Sequence, residues 1–319
     1  MSILTPCYNG ENLIWRLLDS VLNQTYPKIE MIVIDDGSTD NSAKLIKSYT
    51  QKFEAKGYSL TYIYQKNLGL PGAINTGLRN ISGEYLIWPD IDDWYNTDTA
   101  IADLVEAFEN SPDSVGLVRG MQYLRDKETL KIIGRNGNEN INYPKKLYEQ
   151  CLFGGDDWWF TPGSNIIKTK HLFYYYPNKE IYWHGYFGQN IQLQFPILYD
   201  YDCITINKYI YNVLVDWNSD SRRQHEYAEN LRRTESVKDM CLSVLDIVKN
   251  MPLAEREKFK RGIQNLYYER LFYTYLFNKK YKEAQNIFFS QNLRFKNKMI
   301  MGLIKRIVKK ILSILKITK

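Results

Sequence analysis

The chain has 319 residues, of which 44% are hydrophobic and 24% are charged, a balance typical of a globular protein with one or two domains. Its net charge of +6 arises at the C-terminal end, where nine Lys or Arg residues and no acid lie between Arg294 and Lys319, so that residues 1–293 carry a charge of −3. This distribution argues against a nucleic-acid-binding body, and we expect no nucleic-acid partner.

The first hundred residues alternate between predicted strands and helices. Apolar runs predict strands at SILTPCYN, IEMIVID, LTYIYQ and GEYLIW, and helical spacing predicts helices at ENLIWRLLDSVLNQ, SAKLIKSYTQKF and GLPGAINTGLRN. Such alternation implies a mostly parallel sheet covered on both faces. Ligands bind at the carboxyl ends of the strands in sheets of this kind.

Two acidic clusters fall at such strand ends: Asp35-Asp36, and the group Asp90, Asp92 and Asp93. Carboxylates this close raise one another's pKa unless a cation lies among them, and Mg²⁺ and Mn²⁺ prefer oxygen ligands. The alternative is a solvated turn in both places, and the residues after Asp36 would also cap the next helix well.

The pattern changes along the rest of the chain. After about residue 112 it is mixed and rich in aromatic residues, and from about residue 221 it is nearly all helical. We therefore expect an α/β domain at residues 1–220, a helical region at 221–293 and a tail at 294–319, with the first two packed together.

Motifs in residues 5–42, 66–78 and 83–94 (TPCYNG…DDGSTDNS, KNLGLPGAINTGL and GEYLIWPDIDDW) resemble, in order and spacing, the family 2 glycosyltransferases of the GT-A fold. The resemblance covers roughly residues 2 to 220. It implies an α/β, GT-A-like fold with a mostly parallel nucleotide-binding sheet, followed here by the mainly helical region. It also implies sugar transfer from a nucleotide donor, with Mn²⁺ or Mg²⁺ as the Lewis acid for the leaving diphosphate.

The resemblance assigns the nucleotide-binding residues. Pro6, Tyr8 and Glu11 would lie in the loop that holds the nucleotide, with the ring of Tyr8 on the base. Asp36 would accept a hydrogen bond from N3–H of uracil, whereas Asp35 would support the loop.

The remaining donor contacts are implied in the same way. Asn67 and Gly69 match a segment near the ribose and pyrophosphate. In the D-x-D motif Asp90 would face the ribose and Asp92 would bind the metal.

The sequence departs from the family pattern at two places. Ile74 stands where relatives commonly carry an arginine, and Lys66 or Arg79 are candidates to supply that charge. The acid that acts as general base in many relatives is replaced by Gln189 and Asn190, which cannot accept the proton.

The general base must then be another residue. The available candidates are Asp156, Asp157, Glu180, His184 and Asp200. We select Asp157 as catalytic, because the neighbouring tryptophans could stack on a sugar and raise its pKa. Arg222 or Arg223 in NSDSRR could contact phosphate, or could be a solvated surface pair.

The tail is a predicted basic amphipathic helix. Its cationic residues fall within an arc of roughly 140°, opposite an apolar face. This pattern favours the surface of an anionic membrane, although docking on the protein itself or on a second subunit is the alternative.

The four cysteines are far apart, and neither a signal peptide nor a spanning segment is recognisable, which indicates a cytoplasmic setting with reduced thiols. We therefore expect an inverting, metal-dependent hexosyl- or N-acetylhexosaminyltransferase, peripheral on the inner face of the cell membrane. It would transfer a sugar, most simply from a UDP-sugar, to a glycan or lipid-linked acceptor of a surface polysaccharide. The alternative is a catalytically degenerate scaffold anchored by the tail.

Overall fold

The computed structural model describes residues 1–137, 146–153, 160–182, 188–217, 219 and 225–291. The strands in these residues are β1 (Ser2–Cys7), β2 (Glu30–Asp35), β3 (Ser59–Tyr64), β4 (Tyr85–Ile87), β5 (Trp94–Tyr95), β6 (Val115–Asp126), β7 (Ile132–Asn136), β8 (Asn165–Lys168) and β9 (Asp202–Val215). The helices are α1 (Ile14–Leu22), α2 (Ser42–Ser48), α3 (Thr50–Ala55), α4 (Gly69–Asn80), α5 (Ala100–Glu109), α6 (Tyr148–Phe153), α7 (Thr169–Tyr175), α8 (Gln189–Asp200), α9 (Tyr227–Ile247), α10 (Leu253–Phe277) and α11 (Tyr281–Ser290).

The first four strands form the parallel half of the sheet, in the order β3-β2-β1-β4. Almost every residue of β1 and β2 is buried, because helices cover both faces, as the continuous apolar runs predict. Helix α1 contributes Ile14, Leu17, Leu18 and Val21 to one of the two core clusters. The predicted parallel sheet is confirmed for these four strands.

The second half of the sheet is mixed and continues in the order β4-β8-β6-β9-β5, with β7 paired to β6. Strand β8 runs antiparallel to both β4 and β6, whereas β6 and β9 are parallel. Helices and strands no longer alternate regularly in this part of the sequence, so the parallel arrangement does not extend through it.

The predicted helix SAKLIKSYTQKF is interrupted. Helix α2 ends at Ser48 and α3 begins at Thr50, with Tyr49 between them. The hydroxyl of Tyr49 donates a 2.9 Å hydrogen bond to Asp19 of α1, which fixes the break against the neighbouring helix.

The three C-terminal helices α9, α10 and α11 confirm the predicted helical region. Met240 and Val244 of α9 share a core cluster with Leu193 and Ile197 of α8, so the two parts of the chain pack together as expected. Gly188, just before α8, has φ +104°, and a Cβ atom there would collide with Sδ of Met240. Within the described residues, no helix is long and apolar enough to cross a membrane.

Candidate active site

The loop after β1 and the loop after β2 are tied together by hydrogen bonds. The backbone N–H of Asn9 donates to Oγ of Ser38 at 2.9 Å, and the N–H of Thr39 donates to Oδ1 of Asn9 at 2.9 Å. The N–H of Gly10 donates to Oγ of Ser42 at 2.7 Å. The two loops therefore form one unit at the carboxyl edge of the sheet, where the sequence predicts the nucleotide.

The carboxylate of Asp36 has one oxygen held by the protein. Oδ1 accepts hydrogen bonds from Nε2 of Gln65 at 2.6 Å and from the N–H of Leu68 at 2.8 Å. Asp36 is only 4% exposed, and no donor from the described residues reaches Oδ2. An oxygen that accepts no hydrogen bond from the protein is suited to an N–H supplied by a ligand.

Asp35 has both oxygens engaged within the protein. The N–H of Ser38 donates to Oδ1 at 2.8 Å, and the hydroxyl of Tyr62 donates to Oδ2 at 2.6 Å. Asp35 therefore supports the loop, as expected from the sequence.

The other predicted residues of the first loop differ in what they contact. Tyr8 is 53% exposed, so its ring is accessible, whereas Pro6 lies within β1 opposite Ile34 of β2. Oε2 of Glu11 accepts hydrogen bonds from the N–H and from Nδ2 of Asn41, at 2.9 and 2.8 Å. These contacts tie Glu11 to the start of α2.

Asn67 and Gly69 lie at the start of α4. Gly37 packs so closely that a Cβ atom on it would come within 2.9 Å of the backbone nitrogen of Asn67. Gly69 has φ +76°, and no atom lies within 4 Å of where its Cβ would be. There is therefore open space beside Gly69 at the start of α4, and a helix N-terminus favours a phosphate group.

Arg79 lies at the opposite end of α4, about 15 Å along the helix axis from Gly69. Its guanidinium pairs with Glu180 at 2.8 Å on an exposed surface. Arg79 is therefore not placed to replace the missing arginine at Ile74. Lys66 is exposed at the same edge as Asn67 and stays a candidate.

The three acids after β4 have different environments. Asp93 is buried, and its Oδ1 accepts a 2.8 Å hydrogen bond from the N–H of Leu214, so this residue fastens the turn to β9. Burial, and after it the negative charge of Asp92, raises the pKa of Asp90 to about 7. A cation beside Asp90 and Asp92 would relieve this repulsion.

The donor set fits a divalent ion that also takes ligands from a substrate. Among the described residues, no group of three or more His, Cys, Asp or Glu side chains is arranged to hold a metal ion. Mg²⁺ commonly binds through one or two carboxylates together with substrate phosphates. Asp90 and Asp92 are residues of the right type and number for that arrangement.

A single hydrogen bond joins this edge to α8. Nε1 of the buried Trp88 donates to Oδ1 of Asn190 at 2.9 Å, while the neighbouring Gln189 is buried. Asn190, one of the two amides at the place where the resemblance implies a catalytic acid, is thus joined to the end of β4 that precedes the acidic cluster.

Two candidates for the general base are engaged elsewhere. Glu180 pairs with Arg79, and Asp200, at the last position of α8, accepts hydrogen bonds from Tyr175 and Asn250. Asp200 lies about 16 Å along the helix from its first residue. The other candidates (Asp156, Asp157 and His184), the possible phosphate contacts Arg222 and Arg223, and the tail lie outside the described residues.

A buried polar group on β6 was missed by the sequence reasoning. Arg119 is fully buried, donates from Nε to Oγ1 of Thr205 at 2.9 Å, and lies 4.7 Å from the ring centre of Phe160. Gln122 donates to Oγ of Ser164 at 2.6 Å. The only signal was the presence of polar residues within the apolar strand VGLVRGMQYL.

Comparison with known proteins identifies the family. Residues 2–182 match the family model described as Glycosyl transferase family 2. Glycosyltransferase GlyA of Streptococcus pneumoniae is 42% identical over 217 residues, which is 57% of this chain and 30% of that protein. Poly-beta-1,6-N-acetyl-D-glucosamine synthase of Staphylococcus epidermidis is 32% identical over 130 residues, which is 41% of this chain and 30% of that protein. The chain thus spans under a third of the length of both relatives.

Solved structures share the fold at low identity. The 1–349 fragment of TarS from S. aureus, solved in complex with UDP-GlcNAc, gives a TM-score of 0.58 at 15% identity and covers 92% of this chain and 93% of that one. The mannosyltransferase PcManGT of Pyrobaculum calidifontis, in complex with GDP-Man and Mn²⁺, gives 0.56 at 15% identity and covers 97% and 80%. These matches establish a GT-A-like fold. The family model covers more than half of the chain, which therefore belongs to glycosyl transferase family 2.

Proposed function

We propose that this chain is an inverting glycosyltransferase that transfers a sugar from a UDP-sugar to a glycan or lipid-linked acceptor. The observation that carries the proposal is the buried Asp36 with one oxygen available to a ligand, on the same sheet edge as Asp90 and Asp92. Strands β2 and β4 flank β1, so the two sites are separated by about 10 Å. A nucleoside diphosphate can bridge this distance.

Each end of the donor would meet a suitable group. Oδ2 of Asp36 would accept the N3–H of uracil, and the exposed ring of Tyr8 would lie against the base. Asn67 and Gly69 at the start of α4 would face the ribose and the pyrophosphate. Asp90 would face the ribose, and Asp92 would hold the metal.

A bound Mn²⁺ or Mg²⁺ would stabilise the negative charge of the departing diphosphate as a Lewis acid. We keep Asp157 as the proposed general base, because Glu180 and Asp200 are bound elsewhere and the amides Gln189 and Asn190 cannot take a proton. Inversion follows if the acceptor hydroxyl attacks from the face opposite the diphosphate.

The family supports a surface-glycan setting. The solved neighbours bind UDP-GlcNAc and GDP-Man, and one relative is named as an N-acetylglucosamine polymer synthase. We propose either a hexosyl or an N-acetylhexosaminyl donor, and a growing surface polysaccharide as the acceptor.

We further propose that the protein is cytoplasmic and binds the inner face of the cell membrane through the tail at residues 294–319. Exposed aromatic side chains precede the tail at the α10–α11 end of the structure, including Phe277, Tyr281 and Phe289. Lys279, Lys280 and Lys282 lie between them. Aromatic rings with flanking cations favour an anionic membrane surface.

A thermal-shift screen tests the donor. UDP, UDP-GlcNAc, UDP-glucose and GDP-mannose are added with and without Mn²⁺. A bound ligand at 100 times its Kd stabilises the fold by about 2.7 kcal/mol, so we expect a clear rise in Tm with UDP compounds that increases with Mn²⁺. Preference for GDP-mannose would contradict the role of Asp36 in reading uracil.

The degenerate scaffold stays the alternative, and the amides at Gln189 and Asn190 are the observation that favours it. Slow hydrolysis of the bound UDP-sugar in the presence of Mn²⁺ separates the two. Hydrolysis above the rate of a D92N variant supports an enzyme, whereas donor binding without any hydrolysis or transfer supports the scaffold.

A further inference from the structure

A row of aromatic and arginine side chains crosses the second half of the sheet. The strand registers align Trp94 of β5, Asn212 of β9, Tyr123 of β6 and Arg135 of β7. Three strand spacings give this row a length of about 14 Å.

The rings and guanidinium groups alternate along the row. Arg16 lies 4.8 Å from the ring centre of Trp15 and 5.7 Å from that of Trp94. Arg125 lies 6.0 Å from the rings of both Trp94 and Tyr123. We call the whole set the arginine–aromatic ladder: Trp15, Arg16, Trp94, Arg125, Tyr123, Arg135 and Tyr209.

The far end of the ladder is a stacked pair. The rings of Tyr123 and Tyr209 are parallel within 13° with centres 4.5 Å apart. Arg135 lies 5.6 Å from the first ring and 5.3 Å from the second. Trp15 and Arg135 are exposed and the other members are half-buried, so the ladder lies at the surface.

Within the described residues, the arginines of the ladder carry positive charge that no ion pair neutralises. Among the described residues, no carboxylate forms an ion pair with Arg16, Arg125 or Arg135. The nearby acids at the end of the hairpin are engaged, since Asp216 pairs with Lys127 and Asp126 accepts from Thr129. Arg125 donates to Asn212 and to the carbonyl of Leu130, which holds the ladder in place.

The ladder begins beside the proposed reaction centre. Trp94 directly follows Asp93, whose carboxylate accepts from the N–H of Leu214, two residues from Asn212. A chain lying on the ladder would therefore have one end near Asp90 and Asp92.

Two kinds of chemistry recur along this surface. Guanidinium groups bind carboxylates and phosphates through paired hydrogen bonds, and they are better suited to this than lysine. Rigid aromatic rings offer flat apolar area to the C–H faces of sugars. A polyanion without sugar would contact only the guanidinium groups and leave the aromatic rings unused. A nucleic acid is disfavoured by the charge of −3 over residues 1–293.

We propose that the arginine–aromatic ladder binds an anionic glycan, one that carries carboxylate or phosphate groups, as the acceptor chain of the proposed transferase. The identity of the ligand as an acceptor rests on the proposed function, whereas the binding itself does not. The ladder would hold several units of the chain and so favour long acceptors over short ones.

Titration calorimetry with four probes tests the binding: hyaluronan oligosaccharides, phosphorylated dextran, neutral dextran and single-stranded DNA of matched charge. We expect both anionic glycans to bind, and the one that binds more tightly identifies the preferred anion. Neutral dextran and DNA should bind at least about tenfold more weakly than either glycan. DNA binding as tight as that of the glycans would overturn the proposal, as would failure of both glycans to bind.

Variants locate the site. Arg16→Gln with Arg135→Gln removes two charges from the ladder and leaves Arg125 with its structural contacts. We expect about a tenfold or larger loss of glycan affinity. Lys28→Gln with Lys249→Gln removes the same charge from exposed positions outside the ladder and its hairpin, with an expected loss below about twofold. Equal losses in the two variants would show a general charge effect and overturn the assignment.

UDP binding with Mn²⁺ and the melting temperature are measured on the same variants, and both should be unchanged. The protein could bind glycan through the ladder and yet bind no nucleotide. This result would support the ladder as a glycan-binding site and refute the proposed function. If the protein instead binds nucleotide and transfers sugar, but glycan binding does not depend on the ladder, the proposed function is supported and the ladder proposal is refuted.

Discussion

The indole N–H of Trp88 donates a hydrogen bond of 2.9 Å to Oδ1 of Asn190. This bond connects the end of β4, just before the acidic cluster, to the first turn of α8. The proposed donor-binding edge on one side and the start of α8 on the other are thereby fixed relative to one another by two side chains that lie 102 positions apart in the sequence.

Removing this bond should affect turnover more than donor binding. Trp88→Phe keeps most of the buried ring but loses the N–H, and Asn190→Leu removes the acceptor. We expect each to lower the free energy of unfolding by about 1 kcal/mol and to reduce kcat, with donor KM within about twofold. Denaturant titration and steady-state kinetics measure both effects. A loss confined to donor KM would contradict a role in joining the two sides.

Asp36→Asn tests recognition of the base. The amide oxygen can still accept from Gln65 and Leu68, but an N–H₂ group then faces the N3–H of uracil, so two donors oppose each other. We expect UDP affinity to fall at least about tenfold in calorimetry, with little change in Tm.

Asp35→Asn is the matched control for that variant. Both oxygens of Asp35 accept hydrogen bonds inside the protein, so Asp35→Asn should lower Tm. Its UDP affinity should fall by a smaller factor than that of Asp36→Asn. The opposite ranking of the two variants would mean that Asp35 contacts the nucleotide.

Protonation of His171 should lower the free energy of unfolding in acid. Its ring stacks on Tyr201 at 4.3 Å, and its Nδ1 is buried without a hydrogen bond. Burial, and then the charges of Lys170 and Lys168, lower its pKa to about 4. The unfolded chain takes up the proton at about pH 6.5, so stability contributed by neutral His171 is present above that pH and is lost as the pH falls towards 4.

The magnitude is limited because the ring is only partly shielded from water. We expect His171 to account for about 1–2 kcal/mol of the stability lost between pH 7 and pH 4.5. His171→Phe keeps the stacking and removes the titrating group, so its unfolding free energy should fall less over this range. If urea titrations show the same loss of unfolding free energy with falling pH in the wild type and in His171→Phe, then His171 is not a source of the acid instability.

Deletion of residues 292–319 tests the membrane proposal. The shortened protein should no longer sediment with vesicles that contain anionic lipid, because the cationic tail supplies most of the attraction. Its Mn²⁺-dependent hydrolysis of a UDP-sugar should persist. Lys305→Gln with Arg306→Gln should weaken vesicle binding in the full chain, and Lys279→Gln with Lys280→Gln should weaken it less. Unchanged sedimentation of the deletion variant would show that the tail has another role.

The sheet edge that carries the proposed donor-binding residues could be predicted from the sequence because its signals are local. Asp36 directly follows β2 and Asp92 lies in the loop after β4, and parallel strands bring their carboxyl ends to one edge of the sheet. The strand-end position was enough to place both residues at this edge, although it did not show that Asp36 keeps one oxygen available while Asp35 has none.

The remaining features depend on contacts between distant residues. The arginine–aromatic ladder joins α1 to β5, β6, β7 and β9, and the parallel pairing of β6 with β9 joins residues nearly 90 positions apart with no local signal. The buried Arg119 could not be recognised as buried, because a charged residue in a strand ordinarily faces solvent. The loss of the usual acid at Gln189 and Asn190 was visible, but a sequence cannot show which other carboxylate lies opposite the donor.

Titration of UDP into the protein with and without Mn²⁺, for the wild type and Asp92→Asn, tests the central claim most directly. Mn²⁺ should raise the affinity of the wild type at least about tenfold, because Asp92 would hold a cation that offsets the negative charge of the phosphates. The Asp92→Asn protein should keep its Tm but show no increase in UDP affinity with Mn²⁺. The control Asp98→Asn, altered at an exposed position, should show the same increase in UDP affinity as the wild type. An equal effect of Mn²⁺ on the wild type and on Asp92→Asn would contradict metal-assisted transfer at this site.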